Sequence, residues 1–263
     1  MKSSGLVTVI GFCAVVVGCG AADNGATPSE GATWSAPVEV GEAGATSADP
    51  GEGNVVELSA EALTLKGWTL QLPNHTEVSS INSDHQPYYY KAADGGRVFM
   101  DPASGITTDG SVHPRTELHE DAAWRSTGTN TLTVTGKVLQ SSTITVGQVF
   151  NDEDKITLAE LQYTSGGFRV LYEEEKGNAD PPSSLGGSVP VGQKYTFTMA
   201  YTKGELKITV NGHTYTHKPS SKVSGNHFYF KVGNYDQKST KATTVSKTVH
   251  SRVEDYSVSV SHS

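Results

Sequence analysis

The sequence predicts an all-β fold, a sandwich or a jelly roll, over most of the chain. Hydrophobic residues make up 35% and charged residues 18% of the 263 residues, and both fractions are low for a helical enzyme. Polar and apolar side chains alternate in several short segments, as expected for half-buried strands. The clearest of these segments are Thr129–Val138, Tyr195–Ala200, Leu206–Val210 and Tyr256–Val260. Asn211-Gly212 follows the third segment and predicts a two-residue β-hairpin.

Residues 1–19 resemble a lipoprotein signal peptide. The apolar run Leu6–Val17 is too short to span a bilayer and is typical of a secretory signal. Because Val16-Val17-Gly18-Cys19 resembles a lipobox, we expect Cys19 to become the lipidated N-terminus. With Gly20 after it, the expected location is the outer membrane or cell surface, reached through the lipid anchor alone. The alternative is plain secretion after cleavage near residues 21–22.

Residues 20–54 are predicted to form a disordered acidic linker, and residues 55–263 a single folded domain. The linker is rich in Ala, Gly, Glu, Ser and Pro and cannot bury a core. Residues 1–54 hold six acidic residues and one basic residue, whereas the rest of the chain holds 22 and 19. A nearly neutral domain gives no support for nucleic-acid binding. We expect a monomer without a disulfide in this domain, and a short helix at Glu57–Leu65.

The first candidate site segment runs from His113 to Glu120. On a strand, His113, Arg115, Glu117 and His119 would share one face, because side chains alternate. Four ionisable groups on one face are costly to bury in a core. We therefore expect this face to be wet, either in a cleft or on a solvated outer surface with an Arg–Glu pair.

Two further segments complete the candidate site. Gln148 and Phe150 point the same way on one predicted strand. On another strand, Tyr229, Lys231 and Tyr235 share a face, and the apolar residues between them can seal the core. Two phenols and an ammonium group suit a sugar acid, although a lysine lying between two half-buried tyrosines is the alternative.

Together these segments resemble polysaccharide lyase family 7, the alginate lyases. That family carries R-[ST]-E-L-R, Q-[IV]-H and Y-F-K-A-G-x-Y-x-Q in this order, and the chain reads RTELHE, QVF and YFKVGNYDQ. The similarity covers most of residues 55–260. It implies a β-jelly roll of two antiparallel sheets, with the motifs on a concave sheet. It also implies β-elimination on an acidic polysaccharide, alginate or a related polyuronate, with no metal or other cofactor.

The resemblance also implies roles for individual residues. Arg115 and Gln148 would neutralise the uronate carboxylate while the C5 proton is removed. Tyr235 would protonate the leaving oxygen, and we expect Arg115 and Lys231 to lower the pKa of this phenol. Glu117 would orient Arg115. The predicted substrate-binding residues are Glu117, Lys231, Tyr229, Asn234, Gln237, Phe150 and His113.

Two departures from the family motifs affect specificity. Phe150 stands where the family has its histidine, and His119 stands where it usually has arginine. Without that histidine, Tyr235 can serve as both base and acid on mannuronate, where proton and leaving group lie on the same ring face. His119 is the second candidate for a base or neutraliser. The alternatives are a lyase for another polyuronate, such as glucuronan, and a non-catalytic module that binds acidic glycans.

Overall fold

The computed structural model describes residues 67–79 and 81–263, and the regular structure in these ranges is entirely β-strand. This confirms the predicted all-β class. No helix in the described residues is long and apolar enough to cross a membrane. The predicted signal peptide with Cys19, the linker at residues 20–54 and the helix at Glu57–Leu65 lie outside the described residues.

Eighteen strands follow one another along the described chain. Their bounds are β1 Trp68–Gln71, β2 Glu77–Val78, β3 Tyr89–Lys91, β4 Arg97–Pro102, β5 Ser104–Gly105, β6 Thr116–Glu120, β7 Trp124–Arg125, β8 Thr129–Gln140, β9 Ile144–Asn151, β10 Ile156–Thr164, β11 Gly167–Tyr172, β12 Ser183–Ser184, β13 Lys194–Thr202, β14 Glu205–Val210, β15 His213–His217, β16 His227–Asp236, β17 Thr240–Lys241 and β18 Val249–His262. Each of the four alternating segments recognised in the sequence lies within one of these strands.

Two large antiparallel sheets form a jelly-roll sandwich. The nine-stranded sheet has the order β12-β11-β10-β9-β16-β6-β1-β2, with β7 paired to β16 beside this path. The seven-stranded sheet has the order β15-β14-β13-β8-β18-β4-β3. A small parallel pair, β17 and β5, completes the pairing. The three candidate site segments therefore meet in the middle of one sheet, because β9, β16 and β6 are neighbours there.

The core lies between the two large sheets and follows the period-two pattern. On β16, Phe228, Phe230 and Val232 are fully buried, as the sequence predicted for the apolar side of this strand. They pack with aromatic residues such as Trp124, whose ring centroid lies 4.9 Å from that of Phe230. Burial of each such side chain contributes about 1.5–3 kcal/mol to stability. The opposite side of β16 is consequently left to face outward.

A hairpin turn and a close approach between two strands both depend on glycine. Asn211 and Gly212 have φ values of 46° and 87°, and they connect β14 to β15 as the predicted two-residue hairpin. Gly233 has φ 136°, and a Cβ there would lie 2.8 Å from the carbonyl oxygen of Thr116. A side chain at this position would force β16 away from β6. Gly233 lies where the register between β16 and β9 shifts, just before Tyr235.

Candidate active site

The candidate active site is a cleft on the face of the nine-stranded sheet that points away from the core. Its cavity has a volume of about 490 Å³. Six residues predicted from the sequence line this cavity: Arg115, Gln148, Phe150, Tyr229, Lys231 and Tyr235. Strands β9 and β16 supply five of them, and the sixth directly precedes β6. The structure therefore brings together residues that lie far apart in the chain.

Glu117 connects the polar groups on the floor of the cleft. Its side chain is fully buried on β6. Glu117 Oε2 accepts hydrogen bonds from Arg115 Nη1 at 3.0 Å and from Lys231 Nζ at 3.5 Å. Glu117 Oε1 accepts another from Gln148 Nε2. These partners offset the desolvation of the carboxylate, and in return Glu117 fixes the position of all three donors.

Gln148 is held from both ends of its amide. Its side chain is 1% exposed, and its Oε1 accepts a hydrogen bond from Thr157 Oγ1 at 3.1 Å. Because Nε2 donates to Glu117, the orientation of the amide is fixed. The second N–H of Nε2 has no acceptor among the residues that the structure describes and is available to a ligand in the cavity.

Tyr235 contacts Arg115 and Ser111 at one end of the cleft. The Arg115 Cζ atom lies 3.9 Å from the centroid of the Tyr235 ring, a cation–π contact. The Tyr235 hydroxyl lies 3.1 Å from Ser111 Oγ, and Ser111 Oγ accepts a hydrogen bond from Arg115 Nη2 at 2.9 Å. Because the Ser111 hydroxyl donates to the His113 carbonyl oxygen at 2.9 Å, Tyr235 is the donor to Ser111 in this arrangement.

The pKa values of these groups are set mainly by burial. Burial raises the pKa of Tyr235, and Arg115 and the hydrogen bond with Ser111 reduce this rise without cancelling it. Burial also disfavours the charged form of Arg115, but Glu117 and Tyr235 outweigh this effect and raise the pKa of the guanidinium. Arg115 therefore stays charged, and Tyr235 carries its proton at neutral pH.

Lys231 is an unusual cation because its environment is apolar on one side. Burial lowers the pKa of Lys231 to about 8, although the nearby Glu117 carboxylate acts in the opposite direction. Its Nζ lies 5.1 Å from the centroid of the Phe150 ring and 5.9 Å from that of Tyr229. The two rings themselves are 5.0 Å apart and form an aromatic wall beside the ammonium group.

Comparison with known proteins gives the family of the chain. A family model described as alginate lyase matches residues 63–262 of the chain. The chain belongs to the alginate lyase family. The comparison with curated proteins finds no match.

Solved structures of alginate lyases share the fold. Alginate lyase A1-II′, a member of polysaccharide lyase family 7, has a TM-score of 0.68 and 27% identity over 78% of this chain and 98% of that chain. A variant of A1-II′ in complex with substrate (GGMG) has a TM-score of 0.66 and 28% identity, over 78% and 96%. An alginate lyase from Pseudomonas aeruginosa has a TM-score of 0.64 and 24% identity, over 76% and 99%.

The buried ion pair of this alginate lyase corrects one expectation from the sequence. The strand begins at Thr116, so His113 and Arg115 precede it and do not alternate along it. Glu117 is fully buried and Arg115 is only 8% exposed, so this face is not generally wet. The hydrogen bonds between these groups offset the cost of their desolvation.

The prediction that the pKa of Tyr235 is brought nearer to neutral pH is wrong. Arg115 does act in the predicted direction, but burial has the larger effect and raises the pKa. The phenol in this alginate lyase is therefore a proton donor at rest. Once ionised, it is a stronger base than an ordinary tyrosinate, because its pKa is higher.

Neither predicted histidine lines the cavity. His119 lies two residues beyond Glu117 on β6, about 7 Å further along the strand. Its ring packs 6.0 Å from Tyr229, and its Nδ1 lies 3.0 Å from the Glu120 carbonyl oxygen. His113 Nδ1 lies 2.6 Å from the Ser239 carbonyl oxygen. The structure does not bring His119 to Tyr235, which argues against its predicted catalytic role.

Two residues of the last motif lie outside the cavity as well. The prediction of Asn234 as a substrate contact is wrong, because the side chain is fully buried. Its Nδ2 donates to the Phe99 carbonyl oxygen at 3.2 Å, and its Oδ1 accepts from Ser251 Oγ at 3.1 Å. Gln237 is half-buried, and its Nε2 donates to Thr145 Oγ1 at 3.2 Å. Gln237 therefore supports the neighbouring floor of the cleft.

The structure adds cavity residues that the sequence did not suggest. Ser111, Thr157 and Glu160 line the cavity, and the first two bond directly to predicted site residues. Ser111 belongs to a turn segment rich in glycine, serine and aspartate, which carries no recognisable chemical signature. Among residues 67–79 and 81–263, no group of three His, Cys, Asp or Glu side chains is arranged to bind a metal ion.

Proposed function

We propose that this protein is a polysaccharide lyase that cleaves 1,4-linked polyuronate, with a preference for mannuronate-containing alginate, by β-elimination. The products are oligosaccharides with a double bond between C4 and C5. One observation carries the preference: Tyr235 faces the cavity beside Arg115 and Gln148, while Phe150 occupies the motif position of the histidine. Neither His113 nor His119 lines that cavity, although the ring centroid of His113 lies 5.9 Å from that of Tyr235.

The carboxylate of the reacting uronate binds to Arg115 and Gln148. Arg115 is charged, and Gln148 keeps one N–H that points to no acceptor among the described residues. Removal of the C5 proton places additional negative charge on this carboxylate, and preorganised donors stabilise that charge without reorganisation. Glu117 serves as the positioning residue, because it holds both donors from below the cleft floor.

Tyr235 acts as the base and then as the acid. Its phenolate takes the C5 proton, the electron pair of the C5–H bond forms the C4–C5 double bond, and the bond from C4 to the glycosidic oxygen breaks. The leaving oxygen takes the proton from the Tyr235 phenol, which restores the phenolate. A single group can perform both transfers only where proton and leaving oxygen lie on the same face of the ring, as in mannuronate.

The Ser111 hydroxyl supports the change of protonation state. With Tyr235 protonated, Ser111 donates to the His113 carbonyl oxygen and accepts from the phenol. When Tyr235 is ionised, rotation about the Ser111 Cβ–Oγ bond allows the hydroxyl to donate to the phenolate. Arg115 above the ring favours the same ionised form.

Glucuronan is the second candidate substrate. Glucuronate presents its C5 proton and its leaving oxygen on the same ring face, so Tyr235 could perform both proton transfers on it without a histidine at position 150. The test is incubation of the protein with polymannuronate, polyguluronate and glucuronan, with ultraviolet absorbance of the new double bond as the readout. We expect the fastest rise on polymannuronate. Binding to these polymers without absorbance would indicate a non-catalytic glycan-binding module and contradict the proposal.

We also propose that the mature protein is secreted and lipid-anchored through Cys19 at the bacterial surface, with residues 20–54 as the tether. The support is the lipobox-like sequence that ends at Cys19. Fractionation of cells that produce the parent protein and Cys19→Ser tests this proposal. We expect the parent protein in the membrane fraction with an incorporated lipid label, and we expect the variant to carry no lipid label. An unlabelled parent protein in the medium would contradict it.

A further inference from the structure

The cleft face of the sheet carries a charged residue beyond the cavity, Arg169 on β11. Its neighbours Phe168 and Val170 point into the core and are 4% and 1% exposed. Because side chains alternate along a strand, Arg169 points to the opposite face, which is the cleft face. The side chain is half-buried there. None of the proposed catalytic steps uses it.

Arg169 lies in the same transverse row of the sheet as Tyr235. Tyr235 pairs with Thr145, Thr145 pairs with Gln162, and Gln162 pairs with Arg169. Adjacent strands are about 4.8 Å apart, so three strand spacings place Arg169 about 14 Å from Tyr235. A polymer that lies across the strands along this row would pass over Tyr235 and then over Arg169.

Hydrogen bonds fix the orientation of the Arg169 guanidinium. Its Nε and Nη2 donate to Gln162 Oε1 at 3.0 and 2.9 Å. Gln162 is 2% exposed, and its Nε2 donates to Glu160 Oε2 at 2.8 Å. Thr145 Oγ1 donates to the same carboxylate oxygen at 2.6 Å. Arg169 is therefore held by an amide that is itself held from behind, which leaves Nη1 and one N–H of Nη2 for a ligand.

The guanidinium of Arg169 has no direct carboxylate partner among the described residues. Arg115 and Lys231 both pair with Glu117, whereas no carboxylate among the described residues forms an ion pair with Arg169. A fixed guanidinium with free donors matches a carboxylate in geometry and charge. Glu160 lies on β10, between the strand of Arg169 and the strands of Arg115 and Lys231, and it lines the cavity. Both of its side-chain hydrogen bonds go to Oε2, and no described residue bonds to its Oε1.

We propose that Arg169 binds a second uronate carboxylate of the same polymer, at a subsite separate from the reaction centre. Glu160 accepts hydrogen bonds from hydroxyl groups of the sugar between the two carboxylates and repels a carboxylate placed there. The alternation of positive, negative and positive groups thus fixes the register in which the polymer crosses the cleft. The identity of the ligand as a polyuronate rests on the proposed function.

A binding measurement tests this proposal without relying on catalysis. In the Tyr235→Phe background, we would measure retardation in gels that contain polymannuronate, for Arg169→Ala, Arg169→Lys and Lys207→Ala. Lys207 is an exposed residue of β14 in the other sheet and provides a control that also removes one positive charge. We expect Arg169→Ala to weaken binding about tenfold, Arg169→Lys to weaken it less, and Lys207→Ala to leave it unchanged.

Equal binding by Arg169→Ala and Lys207→Ala would overturn the proposal. Glu160→Gln removes the repulsion and keeps a hydrogen-bonding group, so we expect tighter binding, and weaker binding would contradict the role of Glu160.

With Tyr235 intact, we expect Arg169→Ala to raise the KM for polymer and to leave kcat unchanged. If the parent forms no unsaturated product from any polyuronate, the proposed function fails, and the gel result still decides on Arg169.

Discussion

Arg115 and Tyr235 are stacked, with the guanidinium carbon of Arg115 3.9 Å from the centroid of the Tyr235 ring. The group proposed to neutralise the carboxylate therefore also contacts the group proposed to transfer the proton. Ser111 bonds to both of them, at 2.9 Å from Arg115 Nη2 and 3.1 Å from the Tyr235 hydroxyl. Substitutions that disturb one of the three residues are expected to change the protonation of Tyr235.

Ser111→Ala is expected to move the pH profile to higher pH. The hydrogen bond with Ser111 lowers the pKa of Tyr235 against the rise caused by burial, so its loss lets the pKa rise further. If the phenolate is the base, kcat/KM rises with pH through this pKa, and the rising limb shifts upward. Ser111→Thr keeps a hydroxyl and should restore the parent profile. An unshifted limb in Ser111→Ala would contradict the role of Ser111.

Phe150→His is expected to add activity on guluronate. The position lines the cavity between Tyr229 and Lys231, and it matches the histidine of the family motif. A second titratable group there allows base and acid to act from opposite ring faces, and general acid–base groups contribute about 10²–10⁴-fold to rate. The measurement is the ratio of kcat/KM on polyguluronate to that on polymannuronate. No change in this ratio would count against the missing histidine as a cause of specificity.

Glu117→Gln is expected to lower the free energy of unfolding by about 3 kcal/mol, because it leaves Arg115 and Lys231 buried without their counter-charge. The control is Glu205→Gln, which removes an exposed carboxylate on β14. Urea denaturation monitored by tryptophan fluorescence measures both. Equal urea midpoints for the two variants would contradict the stabilisation of these buried cations by Glu117.

Lys231 is expected to make stability rise with pH. Burial lowers its pKa to about 8, whereas an unfolded chain has the ordinary lysine pKa of about 10.4. Between these values the unfolded state binds more protons, so the free energy of unfolding increases as pH rises. Lys231→Met should remove this increase in urea denaturation from about pH 8 to about pH 10. Parallel curves for parent and variant would contradict the low pKa.

The strand pattern and the motifs were sufficient to predict the fold and most of the cleft. The alternation on β16 placed Tyr229, Lys231 and Tyr235 on one face and Phe228 and Phe230 on the other, and the structure confirms both sides. The alternation of side chains between the two faces is a property of the extended backbone, so it holds wherever the strand is regular. The glycine at 233 shifts the register without moving Tyr235 out of the cleft.

The rest depended on packing between strands that are distant in sequence. Asn234 was misassigned although it has the same parity as Phe228 and Phe230, because its side chain lies on the buried side of β16 and bonds to Phe99 and Ser251. Similarly, the direction in which the pKa of Tyr235 is shifted depends on how deeply the ring is buried, which no motif encodes. Ser111 and Arg169 become visible only when the neighbours of Tyr235 and Gln162 are known.

The most direct test of the account is kcat of Tyr235→Phe on polymannuronate, followed by ultraviolet absorbance. The phenylalanine ring can still stack on Arg115, so the variant loses the hydroxyl with little change in packing. Tyr215→Phe, on the edge strand β15, provides the matched control. We predict a fall in kcat of about 10³-fold for Tyr235→Phe and the parent rate for the control. Parent-like kcat in Tyr235→Phe would contradict the assignment of Tyr235 as base and acid.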